Sequence, residues 1–292
     1  MHRLRAFLLP VWAIFSTVAF AQQDMATDRP DQTETSSVVP TGWLQVEIGL
    51  SRSDLRFSSD GRTFLEETEF ANPDALFRFG FATNYELRLE LGYRYVDHWS
   101  DFNHLSRAEE YLLPRVINEH GFVPLSAGLK TALREEHGIL PEAAFIFMLA
   151  IPGSGAAEFD IEHYIPEARF ACSHTLSDHF SLGYNLGMAF EGSLRDYVGF
   201  YSVALGSSLT DVVGAYVELY GDLGAGTEPV HRFDGGFTWL VDPDVQLDLS
   251  AGYTLTVPHR PFPRDESEYY LAAGCSLRMR FWGDDETRSG GR

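Results

Sequence analysis

Beyond its first twenty residues, the 292-residue chain lacks any apolar run long enough for a transmembrane helix, which takes about 20 consecutive apolar residues. Cysteine is scarce: Cys172 and Cys275 are the only two, and neither belongs to a C-x-x-C pair or to a Cys/His cluster with zinc spacing. No metal site or other cofactor is therefore expected, and two cysteines fix no disulfide framework; they either form one pair or stay free. Basic residues are few as well. Lys+Arg number 22 against 42 Asp+Glu, a net charge of −20 with a pI near 4.8. Such a chain repels phosphate backbones, so nucleic acid is not a partner. No long amphipathic helix is evident; Ala108–Asn118 permits a short one, which Pro114 interrupts.

Processing accounts for the first segment. His2, Arg3 and Arg5 precede the apolar run Ala6–Phe20, and Ala19-Phe20-Ala21 places small residues where a signal peptidase reads. Residues 1–21 read as a secretory signal, with Gln22 as the new N-terminus. Loss of Arg3 and Arg5 leaves 20 basic against 42 acidic residues, a net of −22.

The chain is rich in period-two alternation, the mark of extended strands. In "YELRLELGYRYV", Leu87, Leu89, Leu91, Tyr93 and Tyr95 oppose Arg88, Glu90, Gly92 and Arg94. Phe180 to Glu191, Val245 to Leu255 and Tyr269 to Phe281 repeat the pattern, with Ser, Gly and isolated charges on the minor parity. Twelve such strands are predicted between Trp43 and Phe281. Tight polar turns ("FATNYEL", "TLSDHFSL", "SLTDVVGAY", "LVDPDVQL") alternate with longer polar connections at 54–72, 97–121, 152–163 and 258–267. "REEHG" is of middling length, and "GSLRD" is short for its side. Short turns at one end and long loops at the other describe an all-β, transmembrane antiparallel up-and-down barrel of about 12 strands in the outer membrane of a Gram-negative bacterium.

Alternation does not by itself say which face is outside, since a soluble barrel points its apolar parity inward. Three features favour the inverted arrangement. Apolar faces run for six or seven positions, matching the roughly 9–11 residues a tilted strand needs to cross hydrocarbon. Aromatics, including Trp43, Phe81, Tyr85, Phe180, Trp239, Phe281 and Trp282, gather near strand ends. The polar parity is rich in Gly and Ser, with charges of both signs. The lumen is then lined by Arg78, Arg88, Glu90, Arg94, Lys130, Glu218, Asp234, Asp248, Arg278 and Arg280. Closure sets a basic wall (Arg78, Arg88, Arg94, Arg278, Arg280) beside an acidic one (Glu218, Asp234, Asp248). Those walls either orient a polar solute or brace and plug the bore with salt bridges.

The mature start "TDRPDQTETSSVVPTGWLQVEIG" resembles the opening of a family of outer-membrane transporters described as meta-pathway phenol-degradation-like β-barrels. "ATNYELRLELGYRY", "GLKTAL", "VELYG" and "FDGGFTWLVDPDVQLDLSAG" are similar to its later segments in the same order. The resemblance implies passage of small, aromatic or hydrophobic molecules. The tail "WGDDETRSGGR" departs from barrels that stop at a terminal aromatic residue, so the signal read by the barrel-assembly machinery would be Leu277-Met279-Phe281.

Residues 22–40, with Asp28, Arg29, Asp31 and Glu34, form a polar leader. It is either disordered in the periplasm or folded into the barrel mouth, with Arg29 pairing a lumen carboxylate. Residues 41–282 form the barrel and 283–292 a polar tail. A transport role is expected, with outer-membrane lipid and lipopolysaccharide as surroundings. One alternative is a sealed structural or adhesive barrel, whose clusters at 97–101 and Glu109-Glu110 bridge lipopolysaccharide phosphates through Ca²⁺ or Mg²⁺. The other is a lipid-modifying enzyme. For that, Ser173 and His174 are adjacent on one strand and face opposite ways, His163 lies in a loop, and no G-x-S-x-G motif is present.

Overall fold

The computed structural model describes residues 25–59, 62–100, 115–190, 197–224, 229–256 and 265–282. The signal segment, the tail 283–292, and residues 101–114 with Glu109 and Glu110 lie outside them. Thirteen strands appear in chain order: β1 (Trp43–Ser59), β2 (Arg62–Ala82), β3 (Tyr85–Ser100), β4 (Arg115–Phe122), β5 (Ser126–Arg134), β6 (Glu142–Ala150), β7 (Ile165–Thr175), β8 (Phe180–Phe190), β9 (Tyr197–Ser208), β10 (Val213–Gly224), β11 (Val230–Asp242), β12 (Val245–Thr256) and β13 (Asp265–Arg280). Each pairs antiparallel with its neighbours, and β1 pairs both β2 and β13, so the sheet closes.

Thirteen strands make twelve staves. The lower half of β3, Tyr85–Glu90, pairs β5, while its upper half, Tyr93–Ser100, pairs β4. The break falls at Val123-Pro124-Leu125. Proline has no N–H to give the ladder, so the stave is interrupted there and resumes as a second segment. The free side of β4 is capped by the 151–164 connection, where the Ala156 N–H donates to Phe122 O at 2.8 Å.

The expected loop at 54–72 is largely strand instead, and of the expected loop at 97–121 the described residues, 97–100 and 115–121, are strand. β1 runs for 17 residues and β2 for 21. At about 3.3 Å per residue and a tilt near 45°, 17 residues rise roughly 40 Å along the axis, beyond a hydrocarbon layer of about 30 Å. β1, β2, β3 and β13 therefore project past the membrane on the long-connection side. Arg52, Asp54, Glu66 and Glu69 lie in this projection, which is why its composition resembles a loop. The alternation is also broken there, because the register between β2 and β3 shifts between Ala71 and Asp74. The short helix that Ala108–Asn118 permits is not formed in its described part: Arg115 to Asn118 are strand.

Burial fixes the orientation. Arg78, Glu86 and Lys130 are 0% exposed, whereas Leu87 is 47% and Leu271 58% exposed. The apolar parity thus faces outward and the charged parity inward. Exposed Phe81, Tyr85, Phe180, Trp239, Phe281 and Trp282 ring the short-turn end, and Tyr95, Phe122, Tyr197 and Tyr253 ring the other. Trp43 is an exception among the expected girdle residues. It shares the inward parity of Gln45 and Glu47, and its ring lies 5.2 Å from the Arg278 guanidinium. Both cysteines are free, on the non-adjacent staves β7 and β13.

Candidate functional site: a lumen crossed by the N-terminal segment

The polar segment Met25–Pro40 enters from the short-turn end and lies inside the barrel. At its start, the Gln45 amide donates to Ala26 O at 2.8 Å, and the Asp28 N–H donates to both Glu47 oxygens at 3.0 and 3.2 Å. It then crosses the bore. The Gln32 N–H and the Thr33 hydroxyl donate to Glu218 on β10 at 2.7 and 2.5 Å. The Glu34 N–H donates to Asn185 on β8 at 2.7 Å. Ser36 and Ser173 hydroxyls meet at 2.6 Å on β7, and the Ser37 hydroxyl donates to Glu142 on β6 at 2.9 Å. The segment leaves where the Val39 N–H donates to Glu86 at 2.8 Å. It therefore has polar attachments to at least six staves.

This segment cannot form a ladder of its own with the inward-facing residues, so its backbone donors require side-chain acceptors. That explains why lumen residues such as Glu47, Glu86, Asn185 and Glu218 are acceptors at several heights in the bore.

The densest part is a charge cluster. Cross-strand pairing sets Arg78 on β2 directly opposite Arg88 on β3, an unfavourable like-charge arrangement without compensation. Compensation comes from both sides. Arg78 donates to Glu86 at 2.8 and 3.0 Å and to Glu47 at 2.9 Å. Arg88 donates to Asp28 at 2.6 Å, to Glu34 at 2.7 Å and to Glu86 at 3.1 Å. Lys130 on β5, the chain's single lysine, reaches Asp28 Oδ1 at 3.5 Å. Three barrel cations thus face two barrel carboxylates, Glu47 and Glu86, and the segment adds Asp28 and Glu34. Buried charges are tolerable only when paired in this way.

Arg29 lies elsewhere. Gly49 on β1 and Gly274 on β13 are register partners, with Asp248 on β12 next in the row. A Cβ on either glycine would collide with the Arg29 guanidinium. The two glycines form a slot through which Arg29 reaches Asp248 at 3.4 Å.

The remaining expected site residues divide by height. Arg94 pairs Glu69 at 2.9 Å and Asp74 at 2.5 Å toward the long-connection end. Arg278 bonds Asp244 at the short-turn rim, and Arg280 is exposed there. Register sets Arg278, Gln45, Arg78 and Arg88 in one row across β13, β1, β2 and β3, with the Gln45 amide between Arg278 and Arg78, whereas Arg94 lies six residues farther along β3 and Arg280 two residues nearer the rim. On the acidic side, Glu218 and Asp234 are register partners, and Tyr270 donates its hydroxyl to Asp234. Glu90 and Asp31 line a cavity of about 350 Å³ beside the segment. A larger space of about 550 Å³ lies on the long-connection side, with Arg29, Pro30 and Gln32 among its walls. Phe200, Tyr201, Tyr220 and Tyr270 also line it, with Arg169 4.6 Å from the Phe200 ring and Arg232 5.9 Å from the Tyr220 ring.

Glu47, Glu86, Asn185 and Arg169 were not singled out as site residues by sequence reasoning, although all four fall on the polar parity of predicted strands. Ser173 faces the lumen, where it meets Ser36, while His174 lies 3.3 Å from Glu136 of the β5–β6 turn. The Thr175 N–H, bonded to Glu136, holds that carboxyl below its usual range. Among the described residues no group of His, Cys, Asp or Glu is arranged to hold a metal ion.

Residues 27–264 match the family model described as "Putative MetA-pathway of phenol degradation". An outer membrane channel from Pseudomonas putida F1 has a similar structure, with 13% identity, a TM-score of 0.55, and coverage of 84% of this chain and 98% of that one. The transport unit of the autotransporter AIDA-I from Escherichia coli aligns with 10% identity and a TM-score of 0.51, over 89% of this chain and 95% of that one. No curated protein sequence matches significantly. The likeness is one of fold: a closed antiparallel barrel with a lipid-facing exterior, as outer-membrane proteins require.

Proposed function

The chain belongs to the family described as "Putative MetA-pathway of phenol degradation", and from that premise we propose that it is an outer-membrane channel for small organic solutes, closed at rest by its own N-terminal segment. Opening is withdrawal of residues 25–37 from the bore. The observation that carries this reading is that every hydrogen bond between residues 25–37 and the described wall involves a side chain, so no backbone ladder fixes the segment there. Such contacts are reversible, whereas a structural brace is served better by a continuous ladder or an apolar seam. The aromatic and arginine lining of the 550 Å³ space suits a small solute with a flat apolar part and a polar group. The Pseudomonas putida F1 relative is called a channel, in keeping with this assignment.

The reading assigns no catalytic step, since Ser173 and His174 act on opposite sides of β7. Lipid and lipopolysaccharide are surroundings, and Leu277-Met279-Phe281 is the proposed signal to the barrel-assembly machinery. The 0% exposure of Arg78, Lys130, Glu47 and Glu86 favours a second reading, a permanently sealed structural barrel. Planar-bilayer recording of the purified protein separates the two. Discrete openings that become frequent when the segment's anchors are removed support a channel, and a silent membrane under both conditions refutes it.

A further inference from the structure

The Asp28 carboxylate occupies a pocket that the barrel wall builds for an anion. Arg88 Nη1 donates to Asp28 Oδ2 at 2.6 Å, Arg78 Nη1 lies 3.2 Å from the same oxygen, and Lys130 Nζ lies 3.5 Å from Oδ1. The Thr35 N–H completes the set by donating to Oδ1 at 2.8 Å. Arg78, Arg88 and Lys130 come from three adjacent staves, β2, β3 and β5, and all three side chains are buried. The cluster has spare capacity, because Arg88 Nε is buried without a hydrogen-bond partner.

The charge arithmetic depends on the segment's position. Glu47 and Glu86 offset two of the three cations, so the wall alone carries an excess of one positive charge, to which the segment brings the carboxylates of Asp28 and Glu34. Withdrawal of the segment would leave two guanidinium groups and an ammonium converging on the position that Asp28 vacates. Guanidinium forks match planar carboxylates in geometry as well as charge.

We infer that the Arg78–Arg88–Lys130 cradle is a carboxylate-binding site and that Asp28 is its resident internal ligand. A small organic acid entering the open channel takes the place Asp28 leaves and so competes with closure. The inference rests on the gating reading and names the chemical class of solute for it: molecules bearing a carboxylate, rather than neutral hydrocarbons.

Lys130, as the only lysine, gives a direct readout through an amine-reactive acetylating ester, with the modified peptide located by mass spectrometry. In the folded full-length protein in detergent, Asp28→Ala is expected to label at Lys130 much faster than the wild type. Sodium acetate is then expected to slow that labelling saturably, following 1 + [L]/Kd, so about threefold at twice its Kd. Sodium chloride at equal ionic strength is expected to have no such effect, and adding Arg88→Ala is expected to abolish the protection by acetate. Equal effects of acetate and chloride would overturn the inference. Asp28→Ser, which also removes the charge, carries the same test if Asp28→Ala does not assemble. Bilayer conductance of the same variant reads the gate separately. Acetate protection without increased conductance upholds the site and refutes the gate; increased conductance without protection refutes the site.

Discussion

Arg88→Ala probes the hold of the barrel on its N-terminal segment. Arg88 donates to two segment carboxylates, Asp28 at 2.6 Å and Glu34 at 2.7 Å. Each hydrogen bond to a charged group contributes about 1.5–3 kcal/mol, so docking loses roughly 3–6 kcal/mol. Asp28 retains Arg78 and Lys130, which places the expected loss at the low end, about 3 kcal/mol. At 1.4 kcal/mol per tenfold, the withdrawn population then rises about a hundredfold. The barrel itself should survive, because Glu86 keeps both of its bonds from Arg78 and all strand pairings remain. Two assays read the result: Lys130 acetylation in the folded protein, whose rate follows the open population, and opening frequency in planar bilayers. Both are expected to rise by similar factors, with the heat-dependent gel shift of the barrel retained. Values within about threefold of wild type, from a folded barrel, would refute the reasoning, since a hundredfold shift is predicted.

Arg29→Ala is the weaker counterpart. Arg29 has one 3.4 Å contact, with Asp248, against the two at 2.6 and 2.7 Å that Arg88 makes to the segment, so opening should rise less than in Arg88→Ala. Gly80→Ala places a Cβ against the Val39 and Pro40 carbonyls, where the segment leaves the lumen. Faster Lys130 labelling is expected, and an unchanged rate would show that the exit path does not matter. Leu89→Arg puts a charge on the lipid face, at a cost of about 2–4 kcal/mol near the bilayer midplane. Its folded, heat-shifted band should weaken; wild-type folding yields would contradict the orientation. Arg280→Ala, at the exposed rim, should leave Lys130 labelling unchanged, in contrast to Arg88→Ala.

Much of the barrel was legible because period two is a strong signal wherever one face is uniformly apolar, as in β8, β12 and β13. It failed for definite reasons. The register shift at Ala71–Asp74 breaks the alternation along β2, and the charged residues of the β1–β2 projection resemble a loop. β4 escaped notice because "RVINEHGF" is short and polar, and Pro124 divides it from β5. β6 reads as apolar on both parities because Ile146 and Met148 face inward, beside Ala171, in a small apolar patch of the lumen. Parity also identified which charges point inward, yet it carries no information on height. Register decides that Arg78 faces Arg88 directly, that Gln45 stands between Arg78 and Arg278, and that Arg94 lies farther along β3. The N-terminal segment has charges but no periodicity, so its course could be read only from its contacts.

A reversible lock is the sharpest test of whether this segment closes the channel. Ser36 and Ser173 place their hydroxyl oxygens 2.6 Å apart, one on the segment and one on β7, close enough for cysteines there to form a disulfide. In a background with Cys172→Ser and Cys275→Ser, Ser36→Cys with Ser173→Cys should give a protein that is silent in planar bilayers when oxidised. Reduction should restore openings, while each single cysteine variant should ignore the redox state. Equal conductance before and after reduction, with the cross-link confirmed by mass spectrometry, would contradict the account.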